Sequence, residues 1–298
     1  MSAVSLPPSP GRAPAAPAGP TGPRRPGPLA RFGQPVVALG AVALLLGVPF
    51  WLILATASKP HAEALDPDLS APSRWQLGEN VATVVQDGHM VSAFLGSLLV
   101  MVPSVLVVLV LGSMASWVLA RRATRPLAVV YALCISGIVL PPAVVTIVLL
   151  LRQLGLAGTA VGMIGVYCGM YLSTVIFFVT GFVRTIPTEL EEAARVDGAG
   201  PVRVFFQIVF PLLRPVLATA TILICLYIWN DVFYALFVIG GRIDTLPLNL
   251  YQVASSGLYL QNWELIFAYI VVMSLPLLVV FALAQRRIIS GVTGGAVK

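Results

Sequence analysis

Six stretches of this chain are long and apolar enough to cross a lipid bilayer, and they restrict its fold more than any other feature. They run at about residues 34–57, 91–120, 127–151, 160–183, 212–238 and 265–284. A span needs about 20 mostly apolar residues at a rise of about 1.5 Å each. Hydrocarbon offers no water to satisfy backbone N–H and C=O groups, so such segments must be helical. The predicted fold class is an all-α membrane protein with six transmembrane helices. Only 10% of its residues are charged and 58% are hydrophobic, with a mean hydropathy of +0.94. A soluble domain carries charge on about a quarter of its residues, so most of this surface must meet lipid. Prolines inside the spans, Pro49, Pro103, Pro141, Pro142 and Pro276, predict kinks. The Pro141-Pro142 pair leaves open a split of the third stretch into a non-spanning element.

Charge sets the orientation. With the N-terminus inside, the outer segments hold only Lys59, Arg74, Arg152 and Arg242, and the other fourteen of the 18 lysines and arginines are inside. This positive-inside bias predicts that both termini are cytoplasmic. The net charge of +6 is then a topology signal. Nucleic acid is not an expected partner, because no folded soluble domain presents a basic face.

Residues 1–33 form a separate segment, rich in proline and glycine and without apolar periodicity, and a disordered cytoplasmic tail is expected. Arg24, Arg25 and Arg31 could contact anionic lipid or a partner; a solvated leader that fixes orientation is the simpler reading. The apolar run before Ala55-Thr56-Ala57 is too long for a signal-peptide core, so the first helix is read as uncleaved. The six-span membrane domain then covers 34–298.

One polar insert, residues 186–211, interrupts the apolar pattern and lies on the cytoplasmic side by the same charge count. It is the only segment that looks built to touch another protein. Thr188 and Glu191 have capping-box spacing, and Gly198 to Pro201 supplies a stop and a new start, which predicts helix, bend, helix. Elsewhere chemistry is sparse. Cys134, Cys168 and Cys225 fall inside predicted spans and read as packing residues. His61 and His89, alone in the first outer loop, offer too few ligands for a metal. No cofactor is expected on this chain: without a phosphate-binding loop of the G-x-x-x-x-G-K-[ST] kind, ATP and Mg would have to be bound by a partner. The chain is read as a transport subunit, not an enzyme. Apart from Asp231, in Trp229-Asn230-Asp231, no charged residue sits mid-span; a proton-coupled carrier commonly has several such groups. Asn230 and Asp231 either line a path or subunit interface, or sit at headgroup level beside Trp229 and Tyr234.

Glu192-Ala193-Ala194, with Gly198, Ile208 and Pro211, resembles the "EAA" motif of ATP-binding-cassette importer permeases. Further landmarks extend the likeness from about Arg31 to Lys298. They include Lys59-Pro60 with Glu63, Phe94-Leu95-Gly96-Ser97-Leu98, Arg152-Gln153-Leu154-Gly155-Leu156, Phe182-Val183-Arg184-Thr185-Ile186-Pro187, Thr245-Leu246-Pro247 and Gln285-Arg286-Arg287. In this order on six spans, the chain is similar to the carbohydrate-uptake permeases typified by the shorter maltose-transporter permease. The resemblance implies a type I importer fold in a bacterial plasma membrane. It also implies a second homologous permease, two copies of a cytoplasmic ATPase and an extracytoplasmic solute-binding protein as partners.

The implied coupling residues are Glu191, Glu192, Ala193, Ala194, Asp197, Gly198, Ile208 and Pro211. Glu191 or Glu192 would pair with basic groups of the ATPase, the alanines would allow close docking, and Gly198 would permit the bend. Two departures stand out: Gly96 where relatives commonly have Asn, and Asp231 where Glu is common. The last outer loop, with Asp244, Asn249, Tyr251, Gln252, Tyr259, Gln261, Asn262 and Trp263, would by the same likeness reach the binding protein; solvation and interfacial aromatics explain it equally well. A sugar or oligosaccharide is the expected cargo. A non-sugar solute such as glycerol phosphate, or secondary carriage, is the alternative.

Overall fold

The computed structural model describes residues 28–122, 124–139, 142–255 and 261–296, and the side-chain surroundings of those between 35 and 282. The tail expected to be disordered lies outside the described residues up to residue 27; helix is already under way at Pro28. Every described element is helical. We label the principal helices α1 (Pro35–Ser58), α2 (Leu77–Asp87), α3 (Met90–Arg121), α4 (Arg125–Val139), α5 (Val144–Gln153) and α6 (Ala160–Val183). There follow α7 (Glu189–Val196), α8 (Pro201–Leu212), α9 (Arg214–Trp229), α10 (Phe233–Val238), α11 (Leu246–Ser255) and α12 (Trp263–Ala296).

Four of these, α1, α3, α6 and α12, are single helices long and apolar enough to cross a membrane, and α4 with α5 and α8 with α9 make up to six if each bent pair counts as one span. The third apolar stretch is thus two helices, with Pro142 in the break between them; a proline cannot continue a helix without losing a hydrogen bond and restricts the residue before it. The fifth differs from its expected course. Pro201–Leu212 and Arg214–Trp229 meet at 76°, with Pro215 at the start of α9. The helix then stops at Trp229 instead of running on to Val238.

The chain divides into two units, residues 1–50 and 51–298. In the first, the apolar side chains from Val36 to Leu46 are exposed, as a lipid-facing surface requires. In the second, α3 and α6 form the centre. Val105, Val108, Val175, Val179 and Val183 bury their side chains together, and small residues let the backbones approach. A Cβ on Gly112 would lie 2.6 Å from Val175 Cγ1, and Ser116 Oγ donates to the carbonyls of Gly112 at 2.6 Å and Ile176 at 3.3 Å. Between membrane helices there is no hydrophobic drive, so close packing and such hydrogen bonds supply the adhesion.

Beyond the end of α1 a polar lobe forms. Asn80 Nδ2 donates to the carbonyls of Ala57 at 2.9 Å and Lys59 at 3.1 Å, and His61 Nδ1 meets Glu264 Oε1 at 2.9 Å. Lys59, buried to 1% exposure, pairs with the exposed carboxylate of Asp68. The hydrogen bond from Lys59, joined by the hydroxyl and N–H of Ser70, pulls the Asp68 carboxyl down from its usual 3.8 to about 2. A carboxylate depressed on folding stabilises the protein above its unfolded pKa, and that contribution fades as pH falls towards the folded value. Asp68→Asn is therefore expected to melt below the wild type in detergent by a margin that is steady from neutral pH to about 4 and closes as pH approaches about 2. A margin unchanged across that window in thermal scans contradicts the assignment.

Candidate functional site

Two places in the described residues carry concentrated polar chemistry. The first is built on α7. The chain leaves α6 at Val183 and turns into a helix with Glu189, Glu191 and Glu192 in its first turn and Arg195 in its last, charges that suit the helix dipole at each end. The expected capping box does not form: Thr188 has helical backbone angles and its side chain caps nothing. Glu191 turns inward instead and is 2% exposed. It accepts from Trp117 Nε1 at 3.0 Å and Arg121 Nε at 2.8 Å, with Arg195 at 3.5 Å. Arg121 also donates to the carbonyl of Ile186 at 2.8 Å. A cap is worth about 1 kcal/mol, whereas hydrogen bonds between ionised groups are roughly twice as strong as neutral ones, so the carboxylate follows the arginine.

Of the two carboxylates expected to pair with the ATPase, Glu191 has both its oxygens already held within the chain. Glu192 and Ala193 are exposed, and Ala194 is half-buried against the core. Asp197 closes the helix, and Gly198 follows at φ +82°. Gly198 N–H donates to Arg195 O at 3.0 Å and Ala199 N–H to Ala194 O at 2.9 Å, the paired bonds of a Schellman stop. Pro201 then opens α8 in the first helical position. Ile208 and Pro211 lie half-buried along α8.

The outward face of α7 carries Leu190, Glu192 and Val196, the last 87% exposed. Beside it runs a cavity of about 530 Å³, walled by Trp117, Arg121, Arg122, Glu192 and Arg195 among others. Trp117 and Arg121 were not singled out from the sequence. They close the second span more than 60 residues away, and only the fold reveals their partner.

The second place is the end of α9. Asn230 and Asp231, treated as a pair in the sequence, part company here. Asp231 is half-buried: its Oδ2 accepts from Tyr167 Oη at 2.8 Å and from the N–H of Ala235 at 3.1 Å, and its Oδ1 from the N–H of Tyr234 at 3.2 Å. The carboxylate caps α10, which is why α9 stops. Asn230 is exposed, and its amide donates to Leu226 O at 2.8 Å. Tyr171 and Tyr227 stack alongside, with centroids 5.8 Å apart and planes 10° from parallel. Among the described residues no cluster of histidine, cysteine and carboxylate could hold a metal ion.

The family described as "Binding-protein-dependent transport system inner membrane component" matches residues 88–293. The melibiose/raffinose/stachyose import permease protein MelC of Bacillus subtilis is 33% identical over 84% of this chain and 91% of its own. The diacetylchitobiose uptake system permease protein NgcG of Streptomyces coelicolor is 32% identical over 85% of this chain and 84% of its own. A chain in the crystal structure of a bacterial ABC transporter involved in the import of the acidic polysaccharide alginate superposes with a TM-score of 0.74 over 87% of this chain and 96% of its own, at 21% identity, and so shares the fold. The chain is a member of the family of binding-protein-dependent transport system inner membrane components.

Proposed function

We propose that this chain is one of two permease subunits of an ATP-driven, binding-protein-dependent importer for a sugar or oligosaccharide, in a bacterial plasma membrane with both termini cytoplasmic. The observation that carries the reading is α7: a short helix with an outward face that includes Val196 at 87% exposure, fastened from behind to the end of α3 through Glu191. Such a helix can be pushed without being detached. In this reading α7 seats in a groove of an ATPase present in two copies, and ATP and Mg are bound there, not on this chain. A second permease completes the path, and an extracytoplasmic binding protein delivers solute. The oligosaccharide names of the relatives support a sugar cargo; a relative from Synechocystis named as an osmoprotective compounds uptake permease, 30% identical, keeps a non-sugar solute as the second reading.

The coupling role falls to Glu192, Ala193, Ala194, Asp197 and Gly198, with Ile208 and Pro211 holding α8 behind them. ATP can bias the permease only through contacts that differ between its states. Glu192→Lys is expected to leave the subunit inserted and the ATPase hydrolysing, while uptake in reconstituted vesicles falls sharply. Gly198→Val should act similarly: space around its Cβ is open, so the effect arises from the φ of +82° alone. Unchanged uptake and unchanged ATPase association in both variants would overturn the assignment. Uptake blocked by vanadate and indifferent to a proton uncoupler separates this importer from a secondary carrier.

A further inference from the structure

Of the four cationic side chains assigned to the outer side, two are already paired: Lys59 with Asp68, and Arg74 with Glu79 at 3.3 Å. Arg152 and Arg242 form no ion pair among the described residues, which include all twelve aspartates and glutamates of the chain. Far apart in sequence, they wall one cavity of about 210 Å³, together with Val148, Gly158 and Phe237 among others. Arg242 is seated rather than loose. Its side chain crosses the turn after α5 at Gly158, whose φ is +76°; a Cβ there would lie 2.5 Å from Arg242 Cδ and 2.8 Å from its Nη1. Arg242 Nη1 donates to Ala157 O at 3.4 Å. The N–H of Gly158 donates to Val238 O at 2.9 Å and so ties the turn to the end of α10. Arg152 stands in the last turn of α5.

Helix ends account for part of this charge and not for all of it. A helix C-terminus carries about half a negative charge, so α5 and α10 together offset about one of the two positive charges. About one remains, in a place where two guanidinium groups present the paired donors that match phosphate oxygens. Next to the cavity the surface turns apolar. Phe237, on its wall, meets Phe233 edge-to-face at 5.1 Å, one turn and about 6 Å further back along the fifth apolar stretch. We propose that Arg152 and Arg242, seated on the Gly158 turn, bind the phosphodiester of an anionic phospholipid in the outer leaflet. The inference rests on the orientation read above, with both termini cytoplasmic, and is independent of the cargo. A singly charged phosphodiester balances the remaining charge, and its acyl chains continue along the phenylalanines. Lipid is also the anion that a chain meets at this depth whatever its partners are.

The test uses the whole complex purified in detergent, with dioleoyl phosphatidylglycerol as the probe and native mass spectra and the melting temperature as readouts. Phosphatidylglycerol is expected to stay bound and to raise the melting temperature of the wild type, more than zwitterionic phosphatidylcholine does. Arg152→Gln and Arg242→Gln should each weaken its binding about tenfold, the scale of a lost hydrogen bond to a charged group, with melting before lipid addition unchanged. Gly158→Ala, which displaces Arg242 and removes no charge, should weaken it as well. Arg74→Gln, whose arginine is already paired, should bind lipid as the wild type does. Equal lipid binding by the wild type and both Arg152→Gln and Arg242→Gln overturns the site, and so does protection by glycerol 3-phosphate as strong as by the lipid, since the anion is then a free one. Loss of the second permease or the solute-binding protein from these variants with lipid binding intact also overturns it, by giving the arginines a protein carboxylate. Orientation is checked separately: in intact cells lacking Cys134, Cys168 and Cys225, Arg152→Cys should react with a membrane-impermeant thiol reagent. A cysteine labelled only after the cells are opened removes the outer-leaflet placement, whatever the lipid binding shows.

Discussion

Glu191→Ala is expected to destabilise the protein by about 3–5 kcal/mol, the range found when one member of a buried ion pair is removed. The cost arises from what remains. Arg121, with 16% of its side chain exposed, keeps its charge and loses its carboxylate, and the Trp117 N–H loses its acceptor. Replacing the acid by its amide is the informative control: Glu191→Gln retains an acceptor for Trp117 and the shape of the side chain, and should cost clearly less. Thermal melting in detergent measures both. Because the same contact ties α7 to α3, ATPase retained on affinity-purified permease should fall in parallel with the melting temperature. A Glu191→Ala protein that melts with the wild type and keeps its ATPase would show that α7 is held by something else.

The second large effect concerns Gly96, where the resembling permeases commonly carry asparagine. A Cβ at this position would stand 2.0 Å from the carbonyl oxygen of Asp244 and 3.3 Å from the side chain of Ile243. The obstacle is backbone, which cannot rotate aside as a flexible side chain would. The next residue adds a tie, since Ser97 Oγ accepts from the N–H of Leu246 at 2.9 Å. Gly96→Asn and even Gly96→Ala are therefore expected to cost about 1–3 kcal/mol, towards the upper end, by forcing the 243–246 segment off α3. Gly78→Ala makes the matching control. Its Cβ would meet nothing within 4 Å, and no loss is expected. If Gly96→Ala melts and transports as well as Gly78→Ala, the close approach is not a constraint on this chain.

Much of this architecture was legible in the residue pattern because the bilayer imposes simple demands. A run of about 20 apolar residues can do little but span, so α1, α3, α6 and α12 could be placed from length alone. The bend after α7 was legible too, because Gly198 and Pro201 act through local backbone geometry. What escaped was set by contacts distant in sequence. Glu191 has the spacing of a capping residue, yet Arg121 and Trp117, brought close by the fold, outcompete the local backbone. Trp229-Asn230-Asp231 reads as the continuation of a span, yet the Asp231 carboxylate ends one helix and starts another by accepting two backbone N–H groups and a phenol from α6. In each case a polar side chain chose a tertiary partner over the one that local pattern suggested. The break at Pro142 lies between: proline announced an interruption without saying whether the helix would kink or end.

The 32-residue α3 reaches about 48 Å from end to end, and its two extremities are fastened to very different things. Near one, Gly96 and Ser97 are pressed against the 243–246 segment; at the other, Trp117 and Arg121 grip α7. With such fixings the helix behaves as a pivoted beam. A tilt of about 5° about one end would carry the other through about 4 Å, by its length alone. A push on α7 of atomic size thus need not be relayed contact by contact through the bundle, because the span of one element converts it into a displacement at the opposite face.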